Sequence, residues 1–178
     1  MNHTDHVNLL RNGITQQGGQ WADFGSGSGA FTLALRELIG ADAKIFSIDQ
    51  DAASLREQER AFQQSFPNSN VHFLRADFTR ELKLPPLDGI VMANALHFFK
   101  HKEAVLKHVR EFLKARGVFI LVEYNVDVGN MWVPHPLSFE TFRKLAPRAG
   151  FSEPRLLATV PSRFLREFFA AATQRVEI

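Results

Sequence analysis

The chain has no cysteine. Disulfide frameworks, thiolate nucleophiles and thiolate metal ligands are therefore all excluded. It also lacks any apolar run near the ~20 residues that a membrane span needs. Its first residues, Met1–His6, show no basic-then-apolar leader pattern, so the expected compartment is the cytoplasm and no membrane partner is expected. Charge of one sign is scarce as well: 21 Lys and Arg stand against 19 Asp and Glu, a net of +2. That field is too weak to steer a polyanion. The most basic stretch, Lys100–Arg116, also carries Glu103 and Glu111 and reads as a solvated helix face. No nucleic-acid partner is expected. Of the histidines, His3, His6, His101, His108 and His135 form no His-Glu-x-x-His pair, so no metal is expected.

What is present is a globular composition, 45% hydrophobic and 22% charged, with a length that suits one domain over residues 1–178. Apolar strands and amphipathic helices alternate. A helix is expected over 4–15, with Thr4 as cap and Val7, Leu10 and Ile14 on one face. Strands are expected at Trp21–Phe24, Lys44–Asp49, Val71–Leu74, Asp88–Asn94 and Gly117–Tyr124. Helices follow at Phe31–Leu38, closed by Gly40, and at Ala52–Phe66. The spacing also predicts His101–Lys114, with Val105, Val109, Phe112 and Leu113 inward, and a helix from a Ser138 cap to near Gly150. Arg155–Val160 reads as a strand, and Arg163–Ala172 fits either a strand or a helix. This alternation implies βαβ units and a mostly parallel sheet.

One stretch concentrates chemistry: Trp21-Ala22-Asp23-Phe24-Gly25-Ser26-Gly27-Ser28-Gly29-Ala30. A strand ending in an acid runs into a turn with glycine at every second position, then a helix. Glycines suit backbone that takes positive φ or approaches a ligand closely. Gly25-x-Gly27-x-x-Ala30 also satisfies the dinucleotide fingerprint. Asp49, 24 positions after Gly25, is placed to accept two ribose hydroxyls, a role shared by both readings; the alternative is a helix cap, at Asp49 or Asp51.

The spacing Asp-x-Gly-x-Gly-x-Gly resembles the signature loop of class I S-adenosylmethionine-dependent methyltransferases, and the resemblance covers nearly the whole chain. It implies an α/β fold, doubly wound and Rossmann-like: a mostly parallel seven-stranded sheet, helices on both faces, and a C-terminal antiparallel hairpin, which makes Arg163–Ala172 a strand. It implies adenosylmethionine as cofactor, with Asp23, Gly25, Ser26, Gly27 and Gly29 around its methionine end and Asp49 with Gln50 at the ribose. Asp77 and Phe78 would face the adenine, although Asp77 also reads as a helix cap. Asn94 and Ala95 would line the methionine half. Asn94-Ala95-Leu96-His97 is similar to the strand-four ending of quinone-biosynthesis C-methyltransferases. DNA amino-methylating enzymes would show two prolines and an aromatic there.

His97 is the candidate proton acceptor at the reacting centre, or a buried histidine that shapes the pocket. Tyr124, Trp132, Pro134, His135 and Pro136 are candidates for the substrate side or for core packing, and the helix over 1–20, with His6, for a cover over the cofactor. Asp23 can pair with the ammonium of methionine, which NAD lacks. The expectation is methyl transfer to a small molecule, in a monomer or in a homodimer that closes the pocket. The alternatives are a non-catalytic adenosylmethionine-binding module and an NAD-dependent oxidoreductase.

Overall fold

In the computed structural model, which describes residues 1–177, the strands form one seven-stranded sheet. They are β1 (Gln20–Phe24), β2 (Lys44–Asp49), β3 (Val71–Arg75), β4 (Leu87–Ala93), β5 (Leu113–Tyr124), β6 (Arg155–Pro161) and β7 (Glu167–Gln174). Their spatial order is β3-β2-β1-β4-β5-β7-β6. The first five are parallel, and β7 runs antiparallel to both β5 and β6. From β1 the chain winds outward through β2 and β3, then returns to lay β4 and β5 on the other side. The crevice at such a reversal is where open α/β sheets bind ligands.

Both faces of the sheet are covered. Along β5, Phe119 and Leu121 turn to one face while Ile120 and Val122 turn to the other, and all four are buried. The first face packs on α4 (Lys102–Arg110) and α5 (Phe139–Arg148) through Leu106, Val109, Phe142 and Ala146. The second packs on α1 (His3–Arg11) and α2 (Ala30–Ile39) through Val7, Leu9, Leu10, Ala34, Leu35 and Ile39. The helix α3 (Ala52–Ser65) lies along β2 and β3. A continuous apolar strand buried on both sides is what parallel pairing between helix layers requires.

Local signals account for several helix ends. Asn2 and Asp5 form a capping box on α1, Asp51 caps α3 through Ala53 and Ser54, and Ser138 caps α5 through Thr141. Gly40, at φ 82°, ends α2.

The α1 cap is Asn2 rather than Thr4, which lies inside the helix, and the larger boundary differences from the sequence reading are at α1, the α4–β5 junction and the last strand. Helix α1 stops at Arg11, where the chain turns and Gly13 N–H bonds Leu10 O. Helix α4 stops at Arg110, and Leu113 faces the core from a strand. Leu87 pairs with Leu113 but Gly89 pairs with Val118, so a bulge containing Arg116 at φ 60° lies between. Residues 163–166 are neither strand nor helix. The Ser162 hydroxyl accepts the Phe164 and Leu165 N–H groups, and Arg166 takes φ 44°, so the last strand starts at Glu167.

The hairpin belongs to the core. Phe169 of β7 is fully buried, 5.9 Å from the Phe139 ring and 6.4 Å from Phe142. Phe169→Ala is expected to cost ~3–5 kcal/mol, read as a lower urea midpoint; a loss below ~1 kcal/mol would mean that the hairpin is peripheral.

Candidate functional site

The carboxyl ends of β1, β2 and β4 converge on a cavity of about 360 Å³ lined by Gly25, Asp49, Gln50, Phe78, Asn94 and Ala95, together with Phe98 and Phe99. The glycine turn after β1 is held from below. Gly25 and Ser26 N–H both bond Ile48 O, at 2.9 and 3.1 Å. A Cβ on Gly25 would lie 2.6 Å from the Ala95 methyl, so glycine lets the β1 and β4 ends approach. Gly27, at φ 52°, has open space where its Cβ would be. Gly29 caps α2 against the Gln58 side chain.

Asp49 clamps this turn to the end of β2. Its Oδ2 accepts Gly27 N–H at 2.8 Å and its Oδ1 accepts Asp51 N–H at 2.8 Å. A carboxylate offers about four acceptor positions, so both oxygens keep capacity toward the cavity. Ser26 points elsewhere: its hydroxyl lies 2.8 Å from Ser47 Oγ and accepts from Gln58 Nε2 at 3.2 Å, a buried brace in which Gln58 also donates to Gly27 O.

Asp23 is 1% exposed and sits beneath the turn, outside the cavity lining. Its Oδ2 accepts the Thr32 hydroxyl at 2.6 Å, while Oδ1 has no partner. Burial pushes its carboxyl up to about 7; Thr32 opposes this and the Asp49 charge adds to it. A second unpaired buried acceptor, Asn94 Oδ1, belongs to a residue held at φ 52° where β4 ends. Buried unpaired acceptors are costly and point to an absent donor.

Phe78 stacks on Phe24 at 5.5 Å and lines the cavity. Asp77 does not line it. The Asp77 Oδ1 accepts both the N–H and the hydroxyl of Thr79, which with Arg80 holds its carboxyl below the usual range. The turn-capping role thus accounts for its contacts. Gln50 reaches the cavity, and its carbonyl accepts from Arg75.

His97 lies behind Phe98 in the turn Leu96–Phe98 and is 3% exposed. Its backbone N–H and its Nδ1 meet the two oxygens of Glu123, at 3.0 and 2.8 Å. Glu123 is fully buried in β5. Sequence reasoning missed it, although one acid inside the apolar run Phe119–Tyr124 was a usable signal. Lys102 donates to Phe99 O nearby; burial lowers its pKa and the Glu123 charge opposes that. Phe98 and Phe99 were also missed.

Of the aromatic candidates, Tyr124 packs on Phe168 at 4.3 Å and lies 6.2 Å from His97. Trp132 is 70% exposed, so it is not a core residue. His135 ties its loop to the site through its N–H to His97 O. At the opposite end of the sheet a cleft of about 350 Å³ runs between residues 13–19 and 114–118. Its charged pair, Asp88 and Lys114, is already closed at 2.7 Å. Among the described residues no three His, Asp or Glu side chains cluster as metal ligands, and no helix is long and apolar enough to cross a membrane.

Residues 22–119 match the family model described as a methyltransferase domain, a span that holds every residue of the cavity, and the chain belongs to that family. It is 25% identical over 163 residues to an arsenite methyltransferase of Aquipseudomonas alcaligenes. That match takes in 81% of this chain but 47% of the relative, so the chain spans about half the length of the curated protein it resembles. Among solved structures, the YcgJ protein of Bacillus subtilis superposes with a TM-score of 0.80 at 12% identity, covering 99% of this chain and all of that one. A magnesium protoporphyrin IX methyltransferase from Synechocystis, solved with bound SAH, gives 0.76 at 18% identity, covering 97% and 81%. At these identities the structures establish the fold.

Asp23 makes stability depend on pH in a definite direction. Its folded-state pKa, about 7, lies above the ordinary 3.8, so the fold favours its neutral form. That contribution is complete below pH 3.8 and is lost as pH rises through about 7. Asp23→Asn is expected to flatten the decline of the urea midpoint between pH 3.8 and about 7; an unchanged slope would contradict the assignment.

Proposed function

We propose that the chain is an S-adenosylmethionine-dependent methyltransferase that acts on a small molecule. The observation that carries the reading is the pair of buried, unpaired acceptors, Asp23 Oδ1 and Asn94 Oδ1, at the ends of adjacent strands. They suit a ligand that brings hydrogen-bond donors, above all an ammonium group, which NAD lacks. When bound, the cofactor supplies an electrophilic methyl group on a sulfonium.

In this reading Asp23 and Asn94 hold the methionine end, beside Gly25, Gly27, Gly29 and Ala95. Asp49 takes the ribose hydroxyls with Gln50 alongside, and Phe78 packs on the adenine with Asp77 next to it in sequence. Ser26 serves by bracing the turn. Helix α1 covers the loop: His6 rests on Phe31 at 4.7 Å, in the first turn of α2. His97 accepts a proton at the reacting centre. The Asn94–His97 pattern supports a quinone-biosynthesis C-methyltransferase-like branch, working in the cytoplasm.

A second reading, a binding module completed by a partner or by a second copy of the chain, is favoured by one feature. Phe98, Val128, Met131 and Trp132 are all more than half exposed in loops at the cavity end.

Calorimetric titration with adenosylmethionine, adenosylhomocysteine and NAD tests the cofactor. Binding of the first two without NAD is expected, and binding of NAD alone would overturn the reading. Asp49→Ala removes charge-assisted bonds worth ~1.5–3 kcal/mol each and is expected to weaken adenosylmethionine at least roughly tenfold while circular dichroism stays native. Unchanged affinity would remove Asp49 from the site. Gly27→Val, which fills the open space at φ 52°, is expected to abolish binding.

A further inference from the structure

We infer that Glu123 is a positioning residue that fixes which nitrogen of His97 carries the proton, leaving Nε2 as the proton acceptor for a substrate whose methylated atom bears a hydrogen. The inference rests on the methyltransferase reading of the cavity, but its structural half stands on the dyad alone.

The geometry allows few arrangements. A carboxylate is acceptor-only. Glu123 Oε1 is occupied by the His97 backbone N–H at 3.0 Å, and Oε2 lies 2.8 Å from Nδ1. Both side chains are buried, at 4% and 0% exposure, so water does not compete for these positions. Nδ1 therefore donates, and the ring is held as the Nδ1–H tautomer. Among the described residues Nε2 has no hydrogen-bond partner, and His97 keeps slight exposure. Phe98, whose ring centroid is 4.3 Å from the imidazole, is 61% exposed and lines the cavity. Nε2 thus belongs to an imidazole packed directly behind Phe98, a ring that borders the cavity.

The chemistry follows from charge. Were an acceptor atom methylated, its bond to hydrogen would break with the electron pair kept for the new bond to carbon. The carbon–sulfur bond of the sulfonium would break with its pair left on sulfur as a neutral thioether, and the proton would bond to Nε2. The imidazolium so formed rests against Glu123 Oε2, and no electrons are gained or lost. A site built this way serves acceptors that must lose a proton, such as a hydroxyl or an acidic C–H. A nucleophile with a free lone pair at neutral pH would leave the dyad unused.

The test needs no substrate. Long-range proton–nitrogen correlation NMR on the 15N-labelled wild-type chain reports the protonation of each imidazole nitrogen, and His97 is assigned among the seven histidines by the cross-peaks lost in His97→Gln. A protonated Nδ1 and an unprotonated Nε2 are expected. In Glu123→Gln, the side-chain oxygen keeps the backbone N–H and its amide donates to Nδ1, so the two nitrogen signals should exchange character. An unprotonated Nδ1 with a protonated Nε2 in the wild type would overturn the inference even if Glu123→Gln fails to fold. In a folded Glu123→Gln, an unchanged tautomer would overturn the role of Glu123. Failure of adenosylmethionine to bind in a separate titration, with the expected tautomer seen, would sink the methyltransferase reading and leave the positioning intact.

Discussion

A carboxyl group buried at the centre of the sheet is the constraint on which the site depends. Asp23 sits at the end of β1, the strand from which the chain winds out in both directions, and only one of its oxygens is satisfied within the protein. Such a group is tolerated either by neutralising itself or by finding a donor. Burial raising its pKa to about 7 expresses the first outcome, and under the proposed function a cationic ligand would supply the second. The rest of the architecture places this group beneath a turn whose backbone is tied down on two sides, by Ile48 O and by the Asp49 carboxylate.

The two halves of the cavity differ in kind. The β1–β2 half is polar and preformed, with Asp49 bonded to two backbone N–H groups before any ligand arrives. The β4 half is aromatic and more open, with Phe78 and Phe99 packed edge to face and Phe98 turned to solvent. Behind it the Glu123–His97 pair locks the turn Leu96–Phe98 to β5. Rigid binding of one partner and an adaptable wall for the other suits one common cofactor and a variable acceptor, the division expected where function is grafted onto a widely shared fold.

Much of this was legible from residues alone, for physical reasons. The strand Lys44–Asp49 was read to the residue because an apolar run is bounded by charge at both ends. Gly40 and Ser138 were readable because caps have local chemistry. The α4–β5 junction was not, because Leu113 fits a helical period as well as it fits the start of a bulged strand; pairing with Leu87 decides it. Asp77 was ambiguous because an acid before Thr79 serves a turn as readily as a ligand. The partnership of Glu123 with His97 joins residues 26 apart through the β4–β5 register, which no local pattern displays.

The most direct test of this account is the number of protons released when adenosylhomocysteine binds, measured calorimetrically at pH 6 in two buffers of different ionisation enthalpy. The Asp23 carboxyl is mostly protonated there, and pairing with an ammonium requires it to ionise. Release of close to one proton, lost in Asp23→Asn, is the expected result. Binding without proton release in the wild type would show that Asp23 is not the counter-ion and would remove the constraint around which the site has been described.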